Sequence, residues 1–228
     1  MRKIEKSPNE PATLVNAPVP TSAAEVRKDI YKADDVRCQL MADQGRKCAY
    51  CECRVRTAYN DVEHYRPKIV YFWLGHIWQN LLYSCNECNR TYKKSYFPLR
   101  DETTRDLVHQ DISREEPLIV NPVEEEPSLH IKFKRYEAVP LTDKGEATIQ
   151  LFQLNNRKEL VEDRKQTYER FIDEQRKMKF AQFLLSSAHI PQGLQTNDVR
   201  ELLAACQRSI DFQTSSSTPY SGILISQI

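Results

Sequence analysis

Four of the seven cysteines fall in two pairs, Cys48-Ala-Tyr-Cys51 and Cys85-Asn-Glu-Cys88, with 33 residues between them. Each pair sets two thiolates on one tight knuckle, and two such knuckles supply a closed tetrahedral site of the kind that holds a structural zinc. The segment between the pairs has too little aliphatic content to define its fold by burial, whereas metal ligation supplies folding free energy directly. An odd number of cysteines arranged in this way suits a reducing compartment, in which thiols bind metal rather than form disulfides. Cys38, Cys53 and Cys206 are left over. Each is expected as a small buried or half-buried thiol, and Cys53 lies near enough to the first pair to substitute as a ligand.

The rest of the composition describes a globular chain of one ordinary domain or a small catalytic core with appendages: 228 residues, 40% hydrophobic, 29% charged. No apolar run reaches the length needed to span a bilayer, and no apolar stretch follows the charged opening MRKIEKS, so a cytoplasmic protein without membrane association is expected. Net charge is only +1, but residues 46–100 carry ten basic side chains against four acidic, and residues 101–130 carry two against nine. The basic segment is the one that holds the cysteines, and it suits a polyanion such as nucleic acid.

The organisation predicts an α+β protein in three parts. Residues 1–44 read as a proline-rich extended arm (Pro8, Pro11, Pro18, Pro20) followed by a helix over 23–44 that stops at Gly45. Residues 45–100 read as a core of short strands and knuckles, with strand and turn over 61–69 and a helix beginning near Asn86. Residues 101–228 read as mainly helical. An alternating piece at Ile131 and Phe133 and an Asp143-Lys144-Gly145 turn suggest a small hairpin, and helical periodicity runs over 156–185 and 198–210 before a Ser/Thr-rich linker and an apolar end. The third part is expected to form one compact unit with the core.

Between the cysteine pairs stands Glu63-His64-Tyr65-Arg66-Pro67, then Asn80-Leu81-Leu82, with Asn89 directly after Cys88 and Lys93 four residues on. In this order and spacing, over about 48–93, the chain resembles the HNH, or ββα-metal, nucleases. The resemblance implies a ββα-metal core with His64 as general base, Glu63 and Asn89 as ligands of a catalytic ion, and Asn80 as the asparagine that ties down the intervening loop. His64, Asn80 and Asn89 then make up the catalytic set. The chain departs from the family at Asn89, where histidine is frequent, and at Glu63, where aspartate is frequent. Adjacent strand residues also face opposite sides, so Asp61 stays open as a ligand beside Glu63.

The chemistry agrees with those roles. Phosphodiester hydrolysis needs a deprotonated water and a cation on the developing charge, which a histidine near neutrality and oxygen ligands for Mg²⁺ or Mn²⁺ can supply. Zinc and the catalytic ion are therefore expected at separate sites. Arg66, Lys68, Arg90, Lys93 and Lys94 stand beside the motif as candidate phosphate contacts, against the plainer reading of a solvated basic face. Trp73, Trp78, Tyr71 and Phe72 are expected in the core rather than stacked on bases, and His76, His109, His130 and His189 are assigned no role.

Outside the motif, MRKIEKS, PLIVNPVEEEPSLHIKF and ATIQLFQLNNRKELVEDR are similar to the PtuB antiphage nucleases of Septu systems, also found beside some retrons. That resemblance implies a defence nuclease acting on DNA, or on RNA such as tRNA, with a PtuA-type ATPase as partner. Docking of at least one terminus on that partner is the expectation it favours. The competing readings are a non-catalytic zinc-ribbon module that only binds nucleic acid, and a stand-alone McrA-type restriction nuclease, for which no recognition domain is found.

Overall fold

A computed structural model describes residues 1–55, 60–187, 191 and 193–227. Arg56, counted above in the basic segment, and His189 lie outside the described residues. The protein is α+β: seven α-helices, several short 3₁₀ turns, one π-helix and two two-stranded antiparallel sheets among the described residues.

The cysteine-rich region is organised around β1 (Asn60–His64) and β2 (Leu81–Cys85), paired so that Asp61 faces Ser84, Glu63 faces Leu82 and His64 faces Leu81. All five residues of β2, LLYSC, are buried, a continuous run rather than an alternating one, because the strand is covered on both faces. The chain leaves β2 into a π-helix, Glu87–Lys93, where an ordinary helix was expected. Its wide turn closes with Lys94 N donating to Asn89 O, five residues back, at 2.8 Å, and Lys94 ends it at φ +52°.

Toward the N-terminus the helix expected over 23–44 is broken. A 3₁₀ turn at Ala23–Glu25 is followed by α2 (Lys28–Tyr31) and α3 (Asp34–Asp43), α1 (Ala12–Val15) having preceded them. The break lies at Lys32 and Ala33. Ala33 is extended (ψ 153°), and Asp34 and Asp35 open a fresh first turn, where carboxylates favour a helix start. Gly45 does stop α3, at φ +57°.

The hairpin expected from Ile131 and Phe133 is present as β3 (Ile131–Lys134) and β4 (Glu137–Pro140), with both residues buried. Its reversal is at Arg135, φ +59°. Asp143-Lys144-Gly145 is not a turn but the start of α4 (Asp143–Leu151), because Thr142 caps it by accepting from Gly145 N at 3.1 Å. A Cβ on Gly145 would come within 1.9 Å of His130 O, so only glycine lets α4 sit this close to the hairpin. The two longest helices, α5 (Lys158–Ser186) and α6 (Thr196–Thr214), match the two periodic stretches and pack on each other, with Ala181, Leu184 and Val199 forming a small core of their own.

Both termini pack on this chain, contrary to the expectation that one awaits a partner. Met1, Ile4 and Leu14 are buried in the main core, and Ile4 N donates to Pro122 O at 2.7 Å. Lys6 lays its ammonium 3.8 Å above the Trp78 ring and bonds Leu81 O at 2.5 Å, so the arm is fastened to the start of β2. The apolar end forms α7 (Ser221–Ile225), with Ile223 and Leu224 buried. Its Gly222 N donates to Glu52 Oε2 at 3.1 Å, on the first cysteine knuckle. The burial of enough apolar area by each segment outweighs the chain entropy lost on docking. No helix among the described residues is long and apolar enough to cross a membrane.

Candidate active site and metal centre

The four paired cysteines come together as their spacing predicts. Cys48 and Cys51 sit on a knuckle reversed by Glu52 at φ +60°, Cys85 ends β2, and Cys88 lies in the π-helix. All four are buried, and their sulfurs lie within 4.8 Å of one another. A tetrahedral zinc site with Zn–S near 2.3 Å has sulfur–sulfur edges of about 3.8 Å. The Cys51 and Cys85 sulfurs are 3.8 Å apart, so the cluster is of the size to hold a metal ion such as zinc.

Donors surround the sulfurs as they do around thiolate ligands. Cys88 N donates to Cys85 Sγ at 3.5 Å, Ser84 Oγ is 3.5 Å from Cys48 Sγ, and Arg157 Nη1 donates to Cys88 Sγ at 3.3 Å. Arg157 also pairs with Glu87 and covers the Tyr92 ring. Nothing in the sequence marked Arg157, which reaches the cluster from just before α5. Of the leftover thiols, Cys53 is half-buried, Cys206 is buried on α6, and Cys38 is exposed rather than buried or half-buried as expected.

The second centre lies at the end of β1. A cavity of about 480 Å³ is lined by Asp61, Glu63 and His64 from β1, Asn89, Arg90 and Lys94 from the π-helix and its end, and Lys28, Tyr31 and Lys32 from α2. Pro67 and Lys68 close it from the loop that follows β1. His64 Nε2 bonds Gly75 O at 2.9 Å, and Tyr31 meets the imidazole edge to face with ring centroids 4.7 Å apart. With Nε2–H donating to that carbonyl, Nδ1 carries the lone pair. Burial lowers the His64 pKa to about 3 despite the opposing Gly75 bond, so the ring is neutral at physiological pH.

Asp61 and Glu63 point to one face of β1, as their i, i+2 spacing requires. Among the described residues β1 pairs only with β2, and His64, the next residue along the strand, lines the same cavity. Asp61 is held by Lys32 at 3.0 Å and by both nitrogens of the Arg90 fork at 2.6 and 2.7 Å. Burial pushes this carboxyl up, but Arg90 and Lys32 outweigh it and hold it below the usual carboxylate range. Glu63 pairs with the fully buried Lys93 at 2.5 Å. Burial nevertheless raises its pKa to about 7, against the pull of that ammonium. Asp61, Glu63 and the half-buried Asn89 line one cavity, and oxygen donors of this kind are those that could hold a hard divalent cation.

Asn80 does not line the cavity. Its Oδ1 accepts from Arg66 N at 2.7 Å, and its Nδ2 donates to Arg66 O and Leu74 O, each at 3.1 Å. It staples both ends of the loop that delivers Gly75 to His64, so it positions the histidine rather than meeting a substrate.

The basic candidates divide. Lys68, Arg90 and Lys94 line the cavity, whereas Arg66 and Lys93 are buried. Arg66 pairs with Glu115 between the Tyr71 and Phe97 rings, 5.0 Å from each centroid. Lys93 sits under Glu63 and donates to His64 O at 2.8 Å. Both are corrected to interior ion pairs, since a charge taken from water must be matched where it lies. Tyr71, Trp73 and Trp78 are core residues as expected, with Phe72 packed partly against them. The residues missed by sequence reading are Lys28, Tyr31 and Lys32. The apolar stripe through α2 marks its buried face and not these residues, and only the Lys-x-x-x-Lys spacing, one turn apart on one face, hinted at a shared target.

No protein-family model matches the chain. Two curated proteins with one name do resemble it. The Septu protein PtuB of Bacillus mycoides (strain KBAB4) is 37% identical over 153 residues, 60% of this chain and 52% of its own length. The Septu protein PtuB of Bacillus thuringiensis is 34% identical over 160 residues, 68% of this chain and 56% of its own. A Septu protein PtuA of Bacillus mycoides (strain KBAB4) is 30% identical over 140 residues, 55% of this chain but 20% of that longer protein. The chain thus spans about half the length of the two PtuB proteins it matches.

Proposed function

We propose, from the similarity to two Septu PtuB proteins and from the cavity at the end of β1, that this chain is a metal-dependent HNH endonuclease of antiphage defence, cutting DNA or RNA. The observation that carries this reading is His64. A neutral imidazole fixed through Nε2 to Gly75 O, with Nδ1 left as its acceptor, belongs to a residue that lines a cavity with carboxylates, an amide and five basic side chains. A structural histidine has no need of such a neighbourhood.

In this reading the basic rim of Lys28, Lys32, Lys68, Arg90 and Lys94 draws in a phosphodiester and sets its register. His64 takes a proton from water in line with the leaving oxygen. Its low pKa rises when the phosphate anion arrives, because a nearby negative charge favours the imidazolium. Asp61 or Glu63, with Asn89, would hold Mg²⁺ or Mn²⁺, whose bound charge stabilises the developing negative oxygen. Asn80 and Tyr31 keep the imidazole in place. Zinc on Cys48, Cys51, Cys85 and Cys88 would fix β2 and the π-helix, and with them Asn89 and Arg90. Residues 45–100 then form the nuclease core, with 1–44 and 101–228 built around it.

A PtuA-type ATPase is the partner in this proposal. A stretch similar to this chain occupies a fifth of a longer protein of that name, which supports the idea that such a fold works beside further polypeptide. The test is digestion of plasmid DNA and of total tRNA by zinc-loaded protein, with and without the co-expressed ATPase. Cleavage that needs Mg²⁺ or Mn²⁺ and stops in EDTA is the expected result. Tight binding without cleavage under every condition would leave a non-catalytic zinc-ribbon module.

A further inference from the structure

The carboxylates of the cavity are already matched by the protein's own cations, and not in the same way. Glu63 is held by Lys93, which has no exposed surface and is fixed a second time by the His64 carbonyl. Among its described partners Asp61 is held by Arg90 through two bonds and by Lys32 through one. That guanidinium spans both carboxylate oxygens, yet its side chain is 64% exposed while Asp61 is 2% exposed. The Lys93 pair is locked. The Arg90 pair is bidentate but open to water, with several rotatable bonds between the guanidinium and the π-helix backbone.

Charge balance gives this difference a consequence. Five cationic side chains line the cavity against two carboxylates. A divalent cation entering alone meets net positive charge and must compete with a guanidinium for Asp61. An arriving phosphodiester reverses both conditions. It adds negative charge, and it offers Arg90 a second planar, bidentate acceptor of the kind the guanidinium fork matches.

We infer that Arg90 is an exchangeable counter-ion of Asp61, which yields the carboxylate to a divalent metal and passes to a phosphate of the nucleic acid. Metal and nucleic acid then bind cooperatively, each tightening the other by the same factor. The inference rests on the nuclease reading above and adds the device that withholds the metal site until substrate arrives. Lys32, 26% exposed and 3.0 Å from Asp61, stays as the smaller charge that keeps the carboxylate ionised.

Manganese is the probe, followed by electron paramagnetic resonance on zinc-loaded protein, with and without a phosphorothioate DNA oligonucleotide that is not cleaved. For the native chain, the oligonucleotide should tighten Mn²⁺ binding. Arg90→Ala should bind Mn²⁺ alone more tightly than the native chain, by up to about fivefold, the range expected when a solvent-open ion pair is removed. The oligonucleotide should then add less. In Mn²⁺ the variant should bind the oligonucleotide more weakly, with the salt slope reduced by about one, and in EDTA nearly as the native chain does. Arg90→Lys, with one compact charge, should fall between.

If Arg90 merely held Asp61 in shape, Arg90→Ala would weaken Mn²⁺ binding, and that result, or unchanged affinity, overturns the inference. A native chain that binds Mn²⁺ and cleaves, with Arg90→Ala unchanged in metal affinity, sinks the inference alone. A native chain that takes up no Mn²⁺ even with the oligonucleotide, and cleaves nothing, removes the nuclease reading together with it.

Discussion

At the scale of single residues the site depends on burial set against hydrogen bonding. His64 is shielded enough to titrate near about 3, while an unfolded histidine titrates near about 6.5. Between those values the unfolded chain binds a proton that the folded chain does not, so folding stability falls as pH drops through that window. The native chain should therefore lose about 2 kcal/mol more than His64→Asn between pH 6.5 and pH 5, measured by urea denaturation at each pH. Glu63 works in the opposite sense. Its raised pKa contributes stability that is full below the ordinary carboxylate value and lost as pH rises through about 7. It is common to both proteins, so the difference isolates the histidine. Equal pH slopes would mean that His64 is not shielded as described.

At the scale of elements the cysteine cluster ties the first knuckle, the end of β2 and the π-helix to one another, although buried aromatic and aliphatic side chains such as Trp78, Leu81 and Leu82 also hold this region, more than the low aliphatic content of the sequence led us to expect. β1 and β2 form a sheet of two strands, marginal by itself in water, and the π-helix has the poorer hydrogen-bond geometry of its class. Cys85→Ser with Cys88→Ser should release about one zinc per chain, measured by elemental analysis, and unfold the core enough to abolish protection of β2 amides from hydrogen exchange. A double variant that keeps full zinc and full protection would count against the site. The knuckles were legible in the sequence because thiolate spacing is a local rule. The long helices α5 and α6 were legible from periodicity. The break at Lys32 and Ala33 was not, because the continuous apolar stripe of 26–41 hides a lysine that turns aside to reach Asp61. Nor was the Thr142 cap, which converts an apparent turn into a helix start.

At the scale of the whole molecule the chain closes on itself at the first knuckle. Glu52, between Cys51 and Cys53, accepts from Gly222 N near the end of the chain and pairs with Lys47, while Lys6 ties the arm to β2. Proline content and a Ser/Thr linker read as segments waiting for a partner, because sequence alone shows their lack of periodicity but not the apolar side chains, Ile4, Ile223 and Leu224, that find the core. The same limit applied to charge. A run of basic residues beside the motif looked like one surface, and it separates into Arg66 and Lys93 inside and Lys68, Arg90 and Lys94 around the cavity. Lys28 and Lys32, far off in sequence, complete that rim only because α2 folds across the mouth.

The central claim, that His64 is the general base of a nuclease, is tested most directly by comparing cleavage of plasmid DNA and tRNA in Mg²⁺ or Mn²⁺ by the native chain and by His64→Ala, each shown to carry the same zinc and the same circular dichroism. The account predicts a loss of at least about a hundredfold in rate for the variant, with nucleic-acid affinity within about twofold of native. Cleavage by His64→Ala at the native rate would contradict it.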